Sequence, residues 1–258
     1  MKKQSLIQLT TGIVMLIVGV IFVALTRSTA IVKEAPASSK MIFALSLILT
    51  LVGIVVAITA LLPQRKAPDV RTLAMAALFA ALCYIGFTYF RIDIPVGTEK
   101  TAFHLGNVFC VLAALFLGGM WGGMAGAVGM TLADLTTAYV TSAPKTFLLK
   151  LCIGLIAGFV AHHIFHISQE KENRKVALPV AVTLSCAAGM AFNIVADPLV
   201  GYFYKMYLMG VPQEFAKVWA KMGAITTSVN AVVAVICATV FYLALRPALR
   251  KANLMPRI

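Results

Sequence analysis

The chain has 258 residues, 61% of them hydrophobic and only 12% charged, with a mean hydropathy of +0.94. Soluble domains are about 45–50% apolar and about 25% charged, so this composition excludes a soluble globular enzyme, a disordered chain and a disulfide scaffold, and points to an integral membrane protein. The net charge of +13 lies in short groups between apolar runs rather than on one amphipathic face, which suits membrane topology and anionic headgroups and not a nucleic-acid partner.

A bilayer span takes about 20 mostly apolar residues in a helix. The first such run is Leu6 to Leu25, behind Lys2 and Lys3. Its length, with no small-residue cleavage site close behind, favours a retained anchor over a signal peptide. The second run is Met41 to Leu62, and Pro63-Gln64-Arg65-Lys66-Ala67-Pro68-Asp69 after it reads as a linker. Further spans are predicted near Arg71–Phe90, Leu105–Gly119, Trp121–Val140, Lys145–His166, Val176–Gly201 and Glu214–Leu245. The domain reading is a two-span hairpin over 1–63, a linker over 64–70, a six-span body over 71–249 and a cytoplasmic tail over 250–258. Basic residues at Lys2, Lys3, Arg65, Lys66, Arg71, Lys171, Arg174, Lys175, Arg246, Arg250 and Lys251 place both termini in the cytoplasm of a multi-pass cell-membrane protein. Cys83, Cys110, Cys152, Cys186 and Cys237 stand singly in apolar runs and read as small packing residues.

Ionisable side chains inside a bilayer are expensive and mark a site by default. Asp134 lies nearly four turns into its span, and Lys145 opens the next one behind Pro144, with Lys150 more than a turn deeper. Asn193 and Asp197 are four apart and share a helix face. Pro198 is expected to bend or interrupt that helix, and Tyr202, Tyr204 and Tyr207 follow. Trp219, Gly223, Thr226 or Thr227, and Asn230 form one stripe on the last span. These fall in the outer half of the membrane, the last stripe reaching from the outer surface to mid-membrane or beyond. Amides, carboxylates, ammonium groups and rings converging there suit a polar, planar, water-soluble small molecule. The alternative is a structural network pairing Asp134 or Asp197 with Lys145 or Lys150. The polar stretch from Arg91 to His104 is either a lid over that level or a solvated connection.

Ala76, Ala77, Ala80 and Ala81 give two overlapping Ala-x-x-x-Ala steps, available for a partner helix or for internal packing. Gly118, Gly119, Gly122, Gly123, Gly126 and Gly129 recur at three and four and read as internal close packing. No Gly-x-x-x-x-Gly-Lys-Ser/Thr, His-Glu-x-x-His, Gly-x-Ser-x-Gly or Cys-x-x-Cys pattern occurs. The expectation is therefore a protein that is not an enzyme and holds neither metal nor cofactor. His162, His163 and His166 read as a headgroup-level cluster.

Three stretches carry a family likeness: TAFHLGNVFCVLAALFLGG (Thr101 to Gly119), MTLADLTTAYVTSAPKTFLLK (Met130 to Lys150) and AAGMAFNIVADPLVGYFYK (Ala187 to Lys205). In order and spacing they resemble the membrane-embedded S component of energy-coupling factor (ECF) transporters, in the branch for riboflavin, pyridoxine, thiamine precursors and related vitamins. The resemblance covers about Arg71 to Leu249. It implies an all-α six-helix bundle, here preceded by an extra two-helix hairpin. It also implies capture of a small water-soluble vitamin from outside and hand-over through a transmembrane coupling subunit and two ATPase subunits. The substrate-binding set it implies is Asn107, Asp134, Tyr139, Lys145, Lys150, Asn193, Asp197, Tyr202, Trp219, Thr227 and Asn230. The alanines at 76, 77, 80 and 81 would face the coupling subunit. A stand-alone secondary transporter for a small polar heterocycle is the alternative, although inverted halves are not apparent. An intramembrane enzyme would need a nucleophile–base pair or metal-binding carboxylates that the sequence does not offer.

Overall fold

The structure, a computed structural model, describes residues 10–15, 17–19, 21, 69–97, 99–168, 176–252 and 254–255. Residues 10–15 and 17–19 are helical. The rest of the predicted Leu6–Leu25 span, the whole Met41–Leu62 span, the linker up to Pro68 and the basic group Lys171–Lys175 lie outside the described residues. Packing divides the chain into two compact units, one of residues 68–201 and 217–258, the other of residues 1–67 and 202–216.

The larger unit opens with α1, Val70–Thr88. Asp69 caps it, its carboxylate accepting from the Thr72 backbone N–H at 2.8 Å, which satisfies one of the orphan donors of a helix start. The polar stretch after it forms an antiparallel hairpin, β1 (Arg91–Val96) on β2 (Glu99–His104), with Arg91 opposite His104 and a positive φ at Gly97. The Leu105 N–H then bonds back to the Gly86 carbonyl at 3.1 Å, so the hairpin starts and finishes at one end of α1.

The segment Gly106–Leu135 is helical at both ends but takes φ 79° and ψ 173° at Gly118, a combination open only to glycine. The chain folds back there. A Cβ on Gly122 would collide with the Ala114 backbone, one on Gly126 with the Cys110 sulfur, and one on Gly106 with Met130. These pairings step evenly away from Gly118, as two antiparallel arms require. The arms are α2 (106–117) and α3 (119–135), matching the two spans predicted around this point. At 1.5 Å per residue α2 rises only about 18 Å, and its residues Val108 to Leu117 are buried except the half-buried Phe109.

A 3-10 turn at Val140–Ser142 leads into α4, Ala143–Phe159, which ends in a π turn at Val160–Ile164. Gly154 and Gly158 of α4 meet Gly123 and Gly119 of α3 so closely that a Cβ on either would strike the other backbone. Helix α5 is Leu178–Tyr207 and α6 is Gln213–Lys251. Of the two outcomes expected at Pro198, interruption does not occur, and α5 runs on through it for two more turns. In α6 the small residues Ala231, Ala234 and Ala238 are buried, whereas Val232, Ile236 and Val240 are 57–59% exposed. Large residues outward and small ones inward is the arrangement expected where lipid, not water, surrounds the helices. Six helices thus form the body, with α2 enclosed: Phe116 lies 5.9 Å from Phe79 of α1 and 4.7 Å from Tyr242 of α6 between ring centroids.

On α1 the two alanine steps face different ways. Ala77 and Ala81 are exposed, while Ala76 and Ala80 are half-buried, and the Ala80 carbonyl leaves no room for a Cβ on Gly129. In the smaller unit, Tyr202, Phe203 and Tyr207 form a ring cluster, with Phe203 and Tyr207 stacked 6.0 Å apart.

Candidate functional site

At the hairpin end of the larger unit, all six helices and β2 send side chains to one open-mouthed cavity. Ten of the eleven predicted residues line it: Asn107, Asp134, Tyr139, Lys145, Lys150, Asn193, Asp197, Trp219, Thr227 and Asn230. Tyr202 is not among the lining residues.

The helical spacings explain the convergence. Asn193 and Asp197 stand one turn apart on α5, and the Trp219, Thr226, Thr227 and Asn230 stripe runs down one side of α6. On α4, Lys145, Thr146 and Lys150 face inward, and on α3 Met130 and Asp134 do so one turn apart. Residues that the sequence reading left out of the site are Phe87 at the end of α1, Thr101, Ala102 and His104 on β2, Met130, Ser142 and Thr146. Thr146 was within reach of the helical spacing, four residues before Lys150. The β2 residues were hidden in a stretch read only as polar.

One part of the lining is closed on itself. The Lys145 ammonium donates to Asp197 Oδ1 at 2.7 Å and lies 5.0 Å from the centre of the Trp219 ring, while the Thr227 hydroxyl donates to Asp197 Oδ2 at 2.9 Å. Lys145 is 7% exposed. This network ties α4, α5 and α6 together, as the structural alternative anticipated for one of its pairings.

The hairpin is fastened to α6 by Asn230. Its Oδ1 accepts from the His104 backbone N–H at 3.0 Å and its Nδ2 donates to the Ala102 carbonyl at 3.0 Å. Asn230 thereby serves β2 as a third strand of one residue. The Thr101 and Thr226 hydroxyls share a further bond at 2.8 Å. At the base of the hairpin Arg91 bonds Asp93 at 2.7 Å and lies 5.3 Å over Phe87 and 5.4 Å over Tyr139, whose hydroxyl donates to Asp93 at 3.0 Å. His104 packs edge-on to Phe87 at 4.7 Å. Burial, reinforced by Lys150 and Arg91 against a smaller opposing pull from Asp197, holds the His104 imidazole at about 3, so it is neutral. Burial and the Asp93 bond push the Tyr139 phenol well above its usual range.

The other part of the lining is open. Asn107 Oδ1, Asp134 Oδ2, Asn193 Oδ1 and His104 Nδ1 are buried without a hydrogen-bond partner, on residues of which Asn107, Asp134 and Asn193 are only 1–2% exposed. Leaving such an atom unsatisfied costs about 1–3 kcal/mol, and the four lie around one cavity. Among the described residues no group of three His, Cys, Asp or Glu side chains is placed to hold a metal ion.

No curated protein matches the chain. Among solved structures, the crystal structure of an S-component for biotin from an ECF-type ABC transporter is similar at a TM-score of 0.48 and 15% identity, over 67% of this chain and 90% of that one. The family model described as ECF-type riboflavin transporter, S component, matches residues 68–247.

Proposed function

The chain belongs to the ECF-type riboflavin transporter S-component family, a multi-pass membrane subunit and not an enzyme, and on that premise we propose that it captures a small water-soluble vitamin or vitamin precursor in the cavity beneath the β1–β2 hairpin. The observation that carries the reading is the set of unpartnered polar atoms. Three of the four, on Asn107, Asp134 and Asn193, are acceptors, so the ligand they fit is rich in N–H and O–H groups. Phe87, Tyr139 and Trp219 supply apolar ring surface in the same lining, which fits a planar heterocycle. Riboflavin, with its ring system and hydroxylated chain, heads the compounds to test, followed by pyridoxine and thiamine precursors.

In this reading the cavity faces the cell exterior, both termini are cytoplasmic, and residues 71–249 are the functional body. Release inside is driven by a separate coupling subunit with two ATPases. The coupling face uses Ala77 and Ala81, the exposed pair of α1, while Ala76 and Ala80 pack inward.

The test has two arms. Mass spectrometry of the extract released by denaturing the purified protein is expected to show a retained vitamin-type heterocycle. Absence of any retained compound, with no binding across a vitamin panel, would refute the ligand site. Changing Ala77 and Ala81 to leucine is expected to abolish uptake in cells while leaving binding intact. Unimpaired uptake would remove the docking role, and uptake by the chain alone in liposomes would establish a secondary transporter instead.

A further inference from the structure

The cavity holds four side chains that carry charge, and they divide unequally. Lys145 and Asp197 form a 2.7 Å ion pair. Lys150 and Asp134 line the same space, are 7% and 2% exposed, and join no salt bridge among the described residues. The Thr146 side chain engages the Asp134 carboxylate, but Asp134 Oδ2 has no hydrogen-bond partner. A buried cation and a buried carboxylate that share a cavity without a salt bridge each carry a desolvation cost that no mutual contact offsets.

Building on the vitamin-site reading, we infer that Asp134 and Lys150 form a separated charge pair bridged by an uncharged ligand, whose N–H or O–H donates to Asp134 and whose carbonyl or ring nitrogen accepts from Lys150. Counted in their ionised forms, the four groups sum to zero. A ligand with a fixed charge would leave the buried site with net charge, whereas a neutral donor–acceptor edge satisfies both groups and leaves it balanced. The chemical class is therefore the uncharged heterocycle with a donor and an acceptor on one ring system: lactams, cyclic imides and hydroxypyridines. Permanently cationic rings are rejected. Asn107 and Asn193, whose Oδ1 atoms are also unpartnered, take further donors from the same ligand. Lys150 is thus the specificity-determining cation, and Lys145, already committed to Asp197, is not.

The test is calorimetric titration of the full-length detergent-solubilised protein with riboflavin and pyridoxine, both without net charge in neutral solution, and with thiamine, a permanent cation. In the wild type at least one uncharged compound is expected to bind about 100-fold or more tighter than thiamine. Lys150→Met should shrink that ratio by about tenfold or more, mainly by weakening the uncharged ligand, while Lys150→Arg should keep it within about threefold of the wild type. Thermal melting identifies a variant that has failed to fold, and should Lys150→Met be one, Asp134→Asn replaces it with the same expected loss. Thiamine binding as tightly as the uncharged compounds would overturn the inference while leaving the vitamin site standing. So would an unchanged ratio in folded Lys150→Met, which would make the pair a structural one bridged by water. Binding of none of the three by folded wild type would overturn the vitamin-site reading and the inference with it.

Discussion

The two halves of the bundle solve opposite problems. Between α2, α3 and α4 the helices touch backbone to backbone: Gly119 on Gly158, Gly123 on Gly154 and Gly122 on Ala114 leave no space even for a methyl group. Beneath the hairpin, the same helices and their neighbours hold apart to surround a cavity with unpartnered polar atoms. The difference teaches where the stability resides. Close helix approach at the glycine seam gains dispersion contacts in surroundings where lipid offers no hydrophobic drive, and that gain offsets the cost of a polar end whose buried acceptors lack partners. Functional sites are commonly the least satisfied part of a fold.

Breaking the seam should have the largest effect. Gly154→Leu drives a side chain into the Gly123 backbone, which cannot rotate away, and overpacking of this kind belongs among the severe changes above about 4–5 kcal/mol. The expected outcome is loss of a monodisperse peak in size-exclusion chromatography, with or without ligand. A variant that stays folded would show the seam to be more compliant than its geometry implies.

Loosening the polar end should cost less and show in rates. Asn230→Ala leaves the Ala102 carbonyl and the His104 N–H unsatisfied at about 1–3 kcal/mol, and frees one edge of a two-stranded hairpin that is marginal on its own. If the hairpin acts as a lid over the proposed site, stopped-flow measurements are expected to show both association and dissociation of ligand accelerating, because it opens more readily. Faster dissociation alone would make Asn230 a direct ligand contact.

The smallest effect is a pH dependence. His104 has a folded pKa of about 3, below its unfolded value near 6.5, so the unfolded chain takes up a proton across that window and the folded one does not. Its contribution to stability is complete above about 6.5 and lost as pH falls toward 3. Melting temperature should therefore decline on acidification from about pH 7 to about pH 5, and His104→Gln should flatten part of that slope. An equal slope in the variant would place the sensitivity elsewhere.

Much of this was legible in the sequence. The six-span body, a break close to Gly118 (expected between Gly119 and Trp121), and eight of the cavity residues follow from run length and helical spacing, because an ionisable or amide side chain in an apolar helix stands out; Asn107 and Tyr139 followed only from the family resemblance. The seam was half legible: the α3 glycines were visible as a stripe, but their partners Gly154 and Gly158 are unremarkable until the helices are paired. The hairpin was missed for a physical reason. Ile92, Ile94 and Val96 alternate with Arg91, Asp93 and Pro95 at the period of a strand, but a ruler tuned to long apolar runs registers only the charges. The alternation is turned around only at the start of β1, since Val96 is buried at its end. Ile92 is 69% exposed, while Asp93 and Arg91 point toward Tyr139 and Phe87. The orphaned atoms could not be read from sequence, because whether a buried amide is satisfied depends on distances that no spacing encodes.

The fold-back at Gly118 carries a consequence for how the protein is made. An arm of about 18 Å is too short to cross a hydrocarbon layer of about 30 Å unaided, so α2 has no independent life as an inserted helix and must enter membrane together with α3. Its wall toward Tyr242 is then bare until the final helix has been synthesised. The enclosed helix α2 is thus translated before α3 to α6, and its side toward Tyr242 is covered only when α6 arrives. A nascent chain halted before Gln213 would carry an exposed core, a ready signal for membrane quality control.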